Sequence, residues 1–318
     1  MKSSDGPSEQ KVDSPKRKTW RSFFLKLGIL LVVIWFGGDF AYSCYVRYRI
    51  QEWESKVPWT EDGFTQDAKE LEGGEGQIAL LMVHGFNDTP QMYRKLLPEL
   101  KEDYHCKAIL LPGFGRDVAT YAASTKEEWL TKVDSEVQQL RQGHEQVWIV
   151  AHSLGGAITI NHVLNNPESV DGVVLLAPAI EVSSKRSPMF STRFWHEFNK
   201  IALPSTRVTC SPYPMDAKDE QEQERELRNI FSPTQVVDNT FQLIDANRGR
   251  AKEISIPALV ILATDDTVVD SPAIESFYEG LGSSKKKLVK LDNSGHMVPV
   301  DFEWQDIVAE TRSFVSGE

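Results

Sequence analysis

Short, uninterrupted apolar runs alternate with helical patterns along most of the chain, and this alternation restricts the possible folds more than any other feature. Strands covered on both faces read as continuous apolar runs, whereas half-exposed strands alternate apolar and polar residues, so we expect buried strands. The β-α-β-α order predicts an α/β fold with a mainly parallel sheet, right-handed crossovers and helices on both faces. The predicted strands are residues 77–83, 106–111, 146–152, 172–177, 258–263 and 286–291.

The interval 180–253 breaks this alternation because it contains no convincing strand. An interval of that length inside a compact domain predicts a cap or lid rather than a linker. Within it, the acidic run 216–228 is interpreted as the solvated face of a helix. The aromatic stretch 188–203 is interpreted either as an acyl-binding face or as the surface through which the cap packs on the body. Elsewhere, helical patterns occupy residues 89–101, 126–141, 154–165, 272–281 and 300–315.

Charge is distributed unevenly over the 318 residues. The net charge is −11, yet the first 26 residues contain seven Lys or Arg and three Asp or Glu, so the rest of the chain is strongly acidic. An acidic body argues against nucleic acid as a partner, because binding requires a basic surface that displaces counterions. The three cysteines, Cys44, Cys106 and Cys210, show no disulfide framework, CxxC pair or zinc spacing.

The N-terminal region predicts a membrane anchor. Residues 1–22 form a polar, basic leader that we expect to be disordered, and residues 23–46 would form an apolar helix of ~36 Å, enough to cross a ~30 Å hydrocarbon core. The basic leader favours a single-pass anchor with its N-terminus in the cytoplasm and the catalytic domain on the opposite side. Residues 47–75 are interpreted as a stalk, and residues 76–318 as the folded domain, with its cap at about 180–253.

Two charges keep other interpretations of this segment open. Lys26 and Asp39 can each reach a membrane interface, but only residues 27–38 between them are free of charge. An uncharged centre of that length also suits a cleaved signal peptide, and a peripheral or buried helix is a third alternative.

The stretch VWIVAHSLGGAITI (147–160) places Ser153 between a predicted strand and a predicted helix. A sharp strand-to-helix turn pushes the side chain outward and needs small neighbours, which Gly155, Gly156 and, less completely, Ala151 provide. Such a turn also directs the helix N-terminus toward the same point, where negative charge is favoured. The stretch therefore predicts a serine nucleophile, although a helix N-cap serine beside packing glycines would explain it equally well in isolation.

A nucleophilic serine needs a base, and the base needs an acid that orients it. His296 is the candidate base, because it follows the last predicted strand and sites in such sheets form at the carboxyl ends of strands. The acid should follow the strand at 258–263. Asp266 is the first choice there, Asp265 is the near alternative, and Glu181 is a more distant one.

Acyl transfer also needs hydrogen-bond donors for the developing oxyanion. The stretch MVHGFND (82–88) ends the first predicted strand in a turn. The backbone N–H groups of Phe86 in that turn and of Leu154 after the serine are the predicted donors. His84 and His152 lie in glycine-flanked turns and are interpreted as structural residues.

The ordered set VHGFND, LLPGFGRD, VAHSLGGA, LLAPA, TDDTVVD and SGHMV resembles the α/β-hydrolase superfamily, and most closely its carboxylesterase and monoacylglycerol-lipase-like branch. The resemblance covers about residues 76–316 and implies an eight-stranded sheet with a helical cap inserted after the sixth strand. Ala151 stands where the family usually has its first glycine, and the acidic run makes this cap more polar than lipase caps usually are. By motif position, the functional residues of the family fall on Ser153 (nucleophile), Asp266 (acid), His296 (base), and Phe86 and Leu154 (oxyanion donors).

The sequence thus predicts a membrane-anchored serine hydrolase that cleaves carboxylic esters through an acyl-enzyme, with lipid-derived or amphipathic esters as candidate substrates. No cofactor or metal is expected, because a triad and oxyanion donors carry the whole reaction. The expected partners are a small-molecule ester and the membrane, with the oligomeric state left open. The alternatives are an amidase, a peptidase or a carbon–carbon bond hydrolase on the same triad, and a non-catalytic binding protein on the same fold.

Overall fold

The structure, a computed structural model, describes residues 16–187, 189–211, 213–224 and 229–317. Residues 1–15, most of the leader predicted to be disordered, lie outside the described residues. Residues 16–22, the end of that leader, were wrongly assigned, because they form the beginning of helix α1 (Lys16–Lys56). The prolines nearest to this segment are Pro15 and Pro58, so no proline interrupts the helix between them.

The other helices of the described chain are α2 (Leu97–Leu100), α3 (Val118–Ala123), α4 (Lys126–Arg141), α5 (Leu154–Asn165), α6 (Thr192–Ala202), α7 (Glu220–Gln223), α8 (Thr234–Asn247), α9 (Ser271–Gly280) and α10 (Trp304–Ser316). The strands are β1 (Leu71–Gly73), β2 (Ile78–Val83), β3 (His105–Ile109), β4 (Gln146–His152), β5 (Gly172–Leu176), β6 (Val208–Cys210), β7 (Phe231–Pro233), β8 (Ala258–Ala263) and β9 (Lys286–Leu291).

Within the described residues the main sheet has seven strands, in the order β1-β3-β2-β4-β5-β8-β9. All neighbours are parallel except the edge strand β1, which runs antiparallel to β3. The α/β-hydrolase fold is confirmed, but the expected count of eight strands is wrong. The residues between α1 and β1 form a turn and the 3-10 helix Gln66–Ala68 instead of a further edge strand.

The central strands are buried as their continuous apolar runs predict, whereas β9, which was also expected to be buried, buries only Leu291 because it lies at the edge of the sheet. Every residue of β5 and β8 is buried, and β4 exposes only its first residue, Gln146. Two groups of helices pack on the sheet: α4 with α5 and α8, and α2 with α10. Burying each Val or Leu side chain contributes about 1.5–3 kcal/mol to folding, so these central strands are a rigid platform for the loops at their carboxyl ends.

The interval 180–253 differs from expectation, because it contains two strands. β6 and β7 pair antiparallel in a small separate sheet. Each strand is three residues long, which is too short for a periodic pattern to be recognised. The last part of the interval, helix α8, packs on α5 and buries Val236, Leu243 and Ile244 in the main core.

The acidic run 216–228 is also not a solvated helix face where the structure describes it. Its helix α7 is one turn long, and Asp216 and Glu222 contact the body of the protein. Asp216 Oδ2 accepts a hydrogen bond from the Thr267 N–H at 2.8 Å. Glu222 is buried and pairs with Arg94 and, at 3.2 Å, with Lys95. These ion pairs attach the returning end of the cap to the domain beneath it.

Helix α1 divides into an exposed half and a packed half. From Trp20 to Gly38 its side chains are exposed, and it is the helix within the described residues that is long and apolar enough to cross a membrane. The second half packs on the body through buried and half-buried side chains that recur every three or four residues. The helix continues to Lys56, so residues 47–56 of the region interpreted as a stalk are helical. The packed side chains are those of Asp39, Ser43, Val46, Ile50 and Trp53.

Candidate active site

Ser153 occupies a sharp turn between β4 and α5. Its backbone has φ +51° and ψ −115°, a conformation that L-residues rarely adopt and that costs of order 1–3 kcal/mol. Its N–H donates to the Leu176 carbonyl at 3.0 Å, and its carbonyl accepts from the N–H groups of Ala157 and Ala179. The surrounding chain therefore holds Ser153 in a strained position from which its side chain projects into the cleft described below.

The glycines after Ser153 are needed for close packing. A Cβ atom on Gly155 would lie 2.3 Å from the Val83 carbonyl oxygen, and one on Gly156 would lie 2.7 Å from the Pro178 Cβ. Both positions must therefore lack a side chain if α5 is to begin directly against β2 and the residues after β5.

The structure brings the three predicted triad residues together. Ser153 Oγ lies 2.9 Å from His296 Nε2, and His296 Nδ1 lies 2.7 Å from Asp266 Oδ2. The other carboxylate oxygen of Asp266 accepts hydrogen bonds from the N–H groups of Val268 and Val269 at 2.7 and 2.8 Å. Because Asp266 is an acceptor, His296 carries its proton on Nδ1, and its Nε2 is free to accept the Ser153 hydroxyl proton.

The two alternative acids lie elsewhere. The Asp265 side chain is 72% exposed and pairs with Lys218 at 3.2 Å. Glu181 pairs with Arg248 at 2.7 Å. Among the described residues, the carboxylate that contacts the His296 ring is therefore that of Asp266.

His152, which precedes the serine, supports the candidate base. Its Nε2–H donates to the backbone carbonyl of His296 at 2.9 Å, and the two ring centroids are 4.7 Å apart. Burial, reinforced by the nearby His296, lowers the pKa of His152 to about 3, so the ring is neutral at pH 7. Its interpretation as structural omitted this positioning role, for which the only sequence signal was its place beside Ser153.

His84 contacts the backbone beside Phe86, a predicted oxyanion donor, much as His152 contacts the backbone of His296. Burial lowers the pKa of His84 to about 4, and its Nε2 accepts a hydrogen bond from the Leu111 N–H at 3.1 Å. Its Nδ1–H therefore donates to the Gly85 carbonyl at 2.9 Å. That carbonyl and the Phe86 N–H belong to one planar peptide, so His84 also sets the direction of the Phe86 N–H.

We expect these two buried rings to make the fold acid-sensitive. Their folded pKa values lie below the unfolded value of 6.5, so their contribution to stability is complete above pH 6.5 and is lost as the pH falls toward 4 and 3. From pH 8 to pH 5 the free energy of unfolding should decrease by roughly 4 kcal/mol through the two rings together. Denaturant unfolding in detergent micelles would measure this change. His152→Gln keeps a side-chain N–H but does not titrate, and should remove about half of the decrease; an unchanged pH dependence would contradict this account.

The predicted oxyanion donors, Leu154 and Phe86, lie in the segments that follow β4 and β2. Leu154 is the first residue of α5, and N–H groups in a first helical turn have no acceptor within the helix. Phe86 follows β2 and lines the same cleft as Ser153 and His296. Their role as donors remains a prediction.

The cleft that contains Ser153 and His296 has a volume of about 650 Å³ and mixed chemistry. Apolar side chains such as Phe114, Met297 and Val300 line part of it. Polar side chains line the rest and include Asp67, Asn87, Arg116, Arg186 and Asp216. A substrate with an apolar part and a polar part would find matching surfaces here.

Trp53 of helix α1 also lines this cleft, which sequence analysis did not anticipate. Its ring packs edge-on against Phe231 of β7 at 5.7 Å and against Trp59 at 6.0 Å between centroids. The signal in the sequence was a pair of tryptophans in WESKVPW, within a segment interpreted as a stalk. The helix with the apolar N-terminal half thus also supplies part of the wall of the site.

One group of side chains in the described residues has the proximity that a metal site requires. It consists of His196, Glu197 and Asp238 in the cap. The Lys200 ammonium group lies 3.0 Å from Asp238 and 3.2 Å from Glu197. The two carboxylates of this group therefore already have a cationic partner. The predicted triad needs no metal.

Comparison with known proteins gives the family. The profile of the Hydrolase_4 family, described as serine aminopeptidase S33, matches residues 74–303. The chain belongs to this family of α/β-hydrolases. It is 22% identical to the thermostable monoacylglycerol lipase of Bacillus sp. (strain H-257) over 243 residues, which cover 75% of this chain and 90% of the lipase. The predicted relationship to the monoacylglycerol-lipase-like branch is thereby confirmed.

Solved structures agree on the fold. A structure from work on LipS and LipT, two metagenome-derived lipolytic enzymes, superposes with a TM-score of 0.71 at 24% identity, covering 80% of this chain and 99% of that one. A membrane phospholipase A, described as a bacterial virulence factor, superposes with a TM-score of 0.55 at 19% identity. It covers 95% of this chain and 98% of its own, so its match extends into α1.

Proposed function

We propose that this protein is a membrane-anchored serine hydrolase that cleaves carboxylic esters through an acyl-enzyme. The observation that carries the proposal is the unbroken hydrogen-bonded path from Ser153 Oγ through the His296 ring to Asp266, at the edge of a cleft large enough for a small ester. Membership of a family with lipase relatives supports ester hydrolysis in general.

The reaction follows from the positions of these atoms. Ser153 Oγ attacks the ester carbonyl carbon while His296 Nε2 takes the hydroxyl proton, and Asp266 stabilises the imidazolium that forms. The tetrahedral intermediate collapses, the bond to the alcohol oxygen breaks, and His296 returns the proton to the departing alcohol. Water then attacks the acyl-enzyme by the same route and releases the carboxylic acid and free Ser153.

The oxyanion is stabilised by the N–H groups of Phe86 and Leu154. The dipole of α5 adds to this, because its N-terminus is directed at Ser153 and favours negative charge there. Loss of one such donor typically lowers kcat by about 10²- to 10³-fold. His84 and His152 contribute indirectly, by holding the peptide of Phe86 and the backbone of His296.

We further propose that the substrate is a lipid-derived or otherwise amphipathic ester. The mixed lining of the cleft suits such a molecule, and the similar Bacillus enzyme is named a monoacylglycerol lipase. Helix α1 would anchor the protein in the membrane, with the N-terminus in the cytoplasm and the catalytic domain on the other side. The length and hydropathy of α1 support the anchor, and the basic leader supports this orientation.

Two assays test this function. A fluorophosphonate probe should label the folded protein at Ser153, because only an activated serine reacts readily; absence of labelling would refute the nucleophile. A panel of p-nitrophenyl esters of increasing acyl length, measured beside matched amides, should show faster turnover of the esters. Equal or faster turnover of the amides would refute the assignment as an esterase.

Peptide hydrolysis is the second candidate, and one feature of the cleft favours it. The family description is serine aminopeptidase, and an aminopeptidase needs carboxylates that bind the α-ammonium group of its substrate. Asp67 and Asp216 line the cleft together with Ser153. Aminoacyl p-nitroanilides with free and with acetylated amino groups would decide this point, because an aminopeptidase cleaves only the free form.

A further inference from the structure

Helix α6 of the cap has its polar side turned inward and its apolar side turned outward. Arg193 forms a two-point ion pair with Asp245 of α8, at 2.7 and 3.0 Å. His196 and Lys200 both contact Asp238 of α8, at 2.7 and 3.0 Å. A surface helix in water normally shows the reverse arrangement, with its apolar stripe facing the core.

The outward side of this helix, together with Phe190 just before it, forms an apolar stripe, which we call the α6 face and define as Phe190, Phe194, Phe198 and Ile201. Their exposed fractions run from 43% to 71%. The aromatic rings contact one another, with centroids 4.5 Å apart for Phe190 and Phe194 and 6.1 Å for Phe194 and Phe198. Glu197, the only acid in the α6 sequence, is paired with Lys200 at 3.2 Å. An exposed apolar face of this kind marks an interaction surface.

Contacts between α1 and the cap place the α6 face beside the apolar half of α1. The Trp35 indole N–H donates to the carbonyl of Ala202, the last residue of α6, at 2.6 Å. The Asp39 carboxylate accepts from the Ser205 N–H at 2.8 Å and from the Thr206 hydroxyl at 2.9 Å. Asp39 is 2% exposed, so the charge that weakened this segment as a membrane span is satisfied by the cap loop.

Helix geometry gives the depth of these contacts, if α1 spans the membrane as proposed above. Trp20 and Asp39 are separated by ~28 Å along the helix, close to the ~30 Å of a hydrocarbon core, so Asp39 lies near one interface. Trp35 lies one turn deeper, ~6 Å inside that interface. The end of α6, bonded to Trp35, is therefore at the ~5–10 Å depth typical of helices that lie in the interface plane.

We propose that the α6 face is embedded in the lipid surface and that Asp39 is the positioning residue that ties this part of the cap to the membrane helix. The occupant is the bilayer, because the end of the helix that bears the face is hydrogen-bonded to Trp35 in the exposed apolar half of α1 and lies at interfacial depth. This proposal rests on the membrane anchor of the proposed function. Trp53 lies ~21 Å beyond Asp39 along α1, so an ester substrate must leave the bilayer to reach the cleft above a cap held at the lipid surface.

The test uses full-length protein in phosphatidylcholine vesicles with an environment-sensitive NBD dye on single cysteines. Cys44 and Cys210 are first replaced by serine, and the buried Cys106 is retained. Phe198→Cys reports the α6 face, Leu31→Cys reports the span, and Ser276→Cys on α9 is the exposed control. Brominated phosphatidylcholine should quench the dye at 198 and at 31 at least about twofold more than the dye at 276.

The role of the Asp39 contacts with Ser205 and Thr206 is tested by Asp39→Ala and Thr206→Val. Each variant should reduce quenching at 198 toward the level at 276 and leave quenching at 31 intact. Each should also lower the ratio of turnover on vesicle-borne esters to turnover on a soluble short-chain ester. Thr240→Val on α8 is the matched control, because the Thr240 hydroxyl donates to the Val236 carbonyl within its own helix at 2.9 Å.

Three outcomes would overturn the proposal. The first is a dye at 198 that is not quenched although the dye at 31 is. The second is energy transfer between dyes at 198 on different molecules in place of quenching, which assigns the face to a second copy of the chain. The third is that quenching at 198 survives Asp39→Ala. The fluorescence experiment is repeated with Ser153→Ala, so its result does not depend on whether the protein hydrolyses esters.

Discussion

Ser153→Ala is expected to lower kcat for ester hydrolysis by about 10⁶-fold with little change in KM. The substitution removes the only oxygen that His296 Nε2 contacts along the proposed path, at 2.9 Å, and leaves the walls of the cleft unchanged. Alanine has the same backbone restrictions as serine, so the strained turn at φ +51° costs the fold no more than before. The variant should therefore fold and bind substrate while losing the acyl-enzyme route.

The measurement is steady-state turnover of a p-nitrophenyl ester by both proteins in the same detergent. Unfolding curves of the two proteins should coincide, which separates lost chemistry from lost structure. Ser276→Ala, a change at an exposed serine of α9, is the control and should retain full activity. Retention of even a tenth of the activity by Ser153→Ala would refute the nucleophile assignment.

Asp266→Asn is expected to lower kcat by about 10⁴-fold, the second largest effect. The amide oxygen of asparagine would accept the N–H groups of Val268 and Val269, as Asp266 Oδ1 does now. Its NH₂ group would then face His296 Nδ1 and force that nitrogen to become an acceptor. The proton would move to Nε2, which faces Ser153, so the ring could no longer take the hydroxyl proton.

Asp265→Asn is the matched control for this variant. Asp265 is the adjacent residue, is largely exposed and pairs with Lys218, so its replacement should change kcat by less than about twofold. Comparing kcat for the two asparagine variants distinguishes the two aspartates directly. If Asp265→Asn were the more damaging change, the acid would be misassigned.

The sequence determined the sheet and its site-bearing loops because both depend on local patterns. Six apolar runs predicted the six parallel strands closely, and α4 and α5 begin and end at the predicted residues. The motifs around Ser153, Asp266 and His296 each follow a buried strand. Since parallel strands end at one edge, that placement was sufficient to predict that the three side chains meet, which they do at 2.9 and 2.7 Å.

Features that depend on contacts between distant segments could not be predicted from the sequence. β6 and β7 are too short to carry a periodic signal, and Asp216 and Glu222 of the acidic run contact the body of the protein. The donor roles of His84 and His152 depend on which carbonyl each ring meets after folding, and neither residue type nor spacing specifies that partner.

Helix α1 combines both kinds of feature, those that the sequence determines and those that depend on tertiary contacts. Its sequence determined that a long apolar helix forms, because hydropathy and the absence of proline are local properties. Only the tertiary structure decided that Asp39 is buried against the cap loop and that Trp53 reaches the cleft. The physical reason is that a carboxylate or an indole can satisfy its interactions with many partners, and the partner is chosen by the packing of chain segments more than 150 residues away.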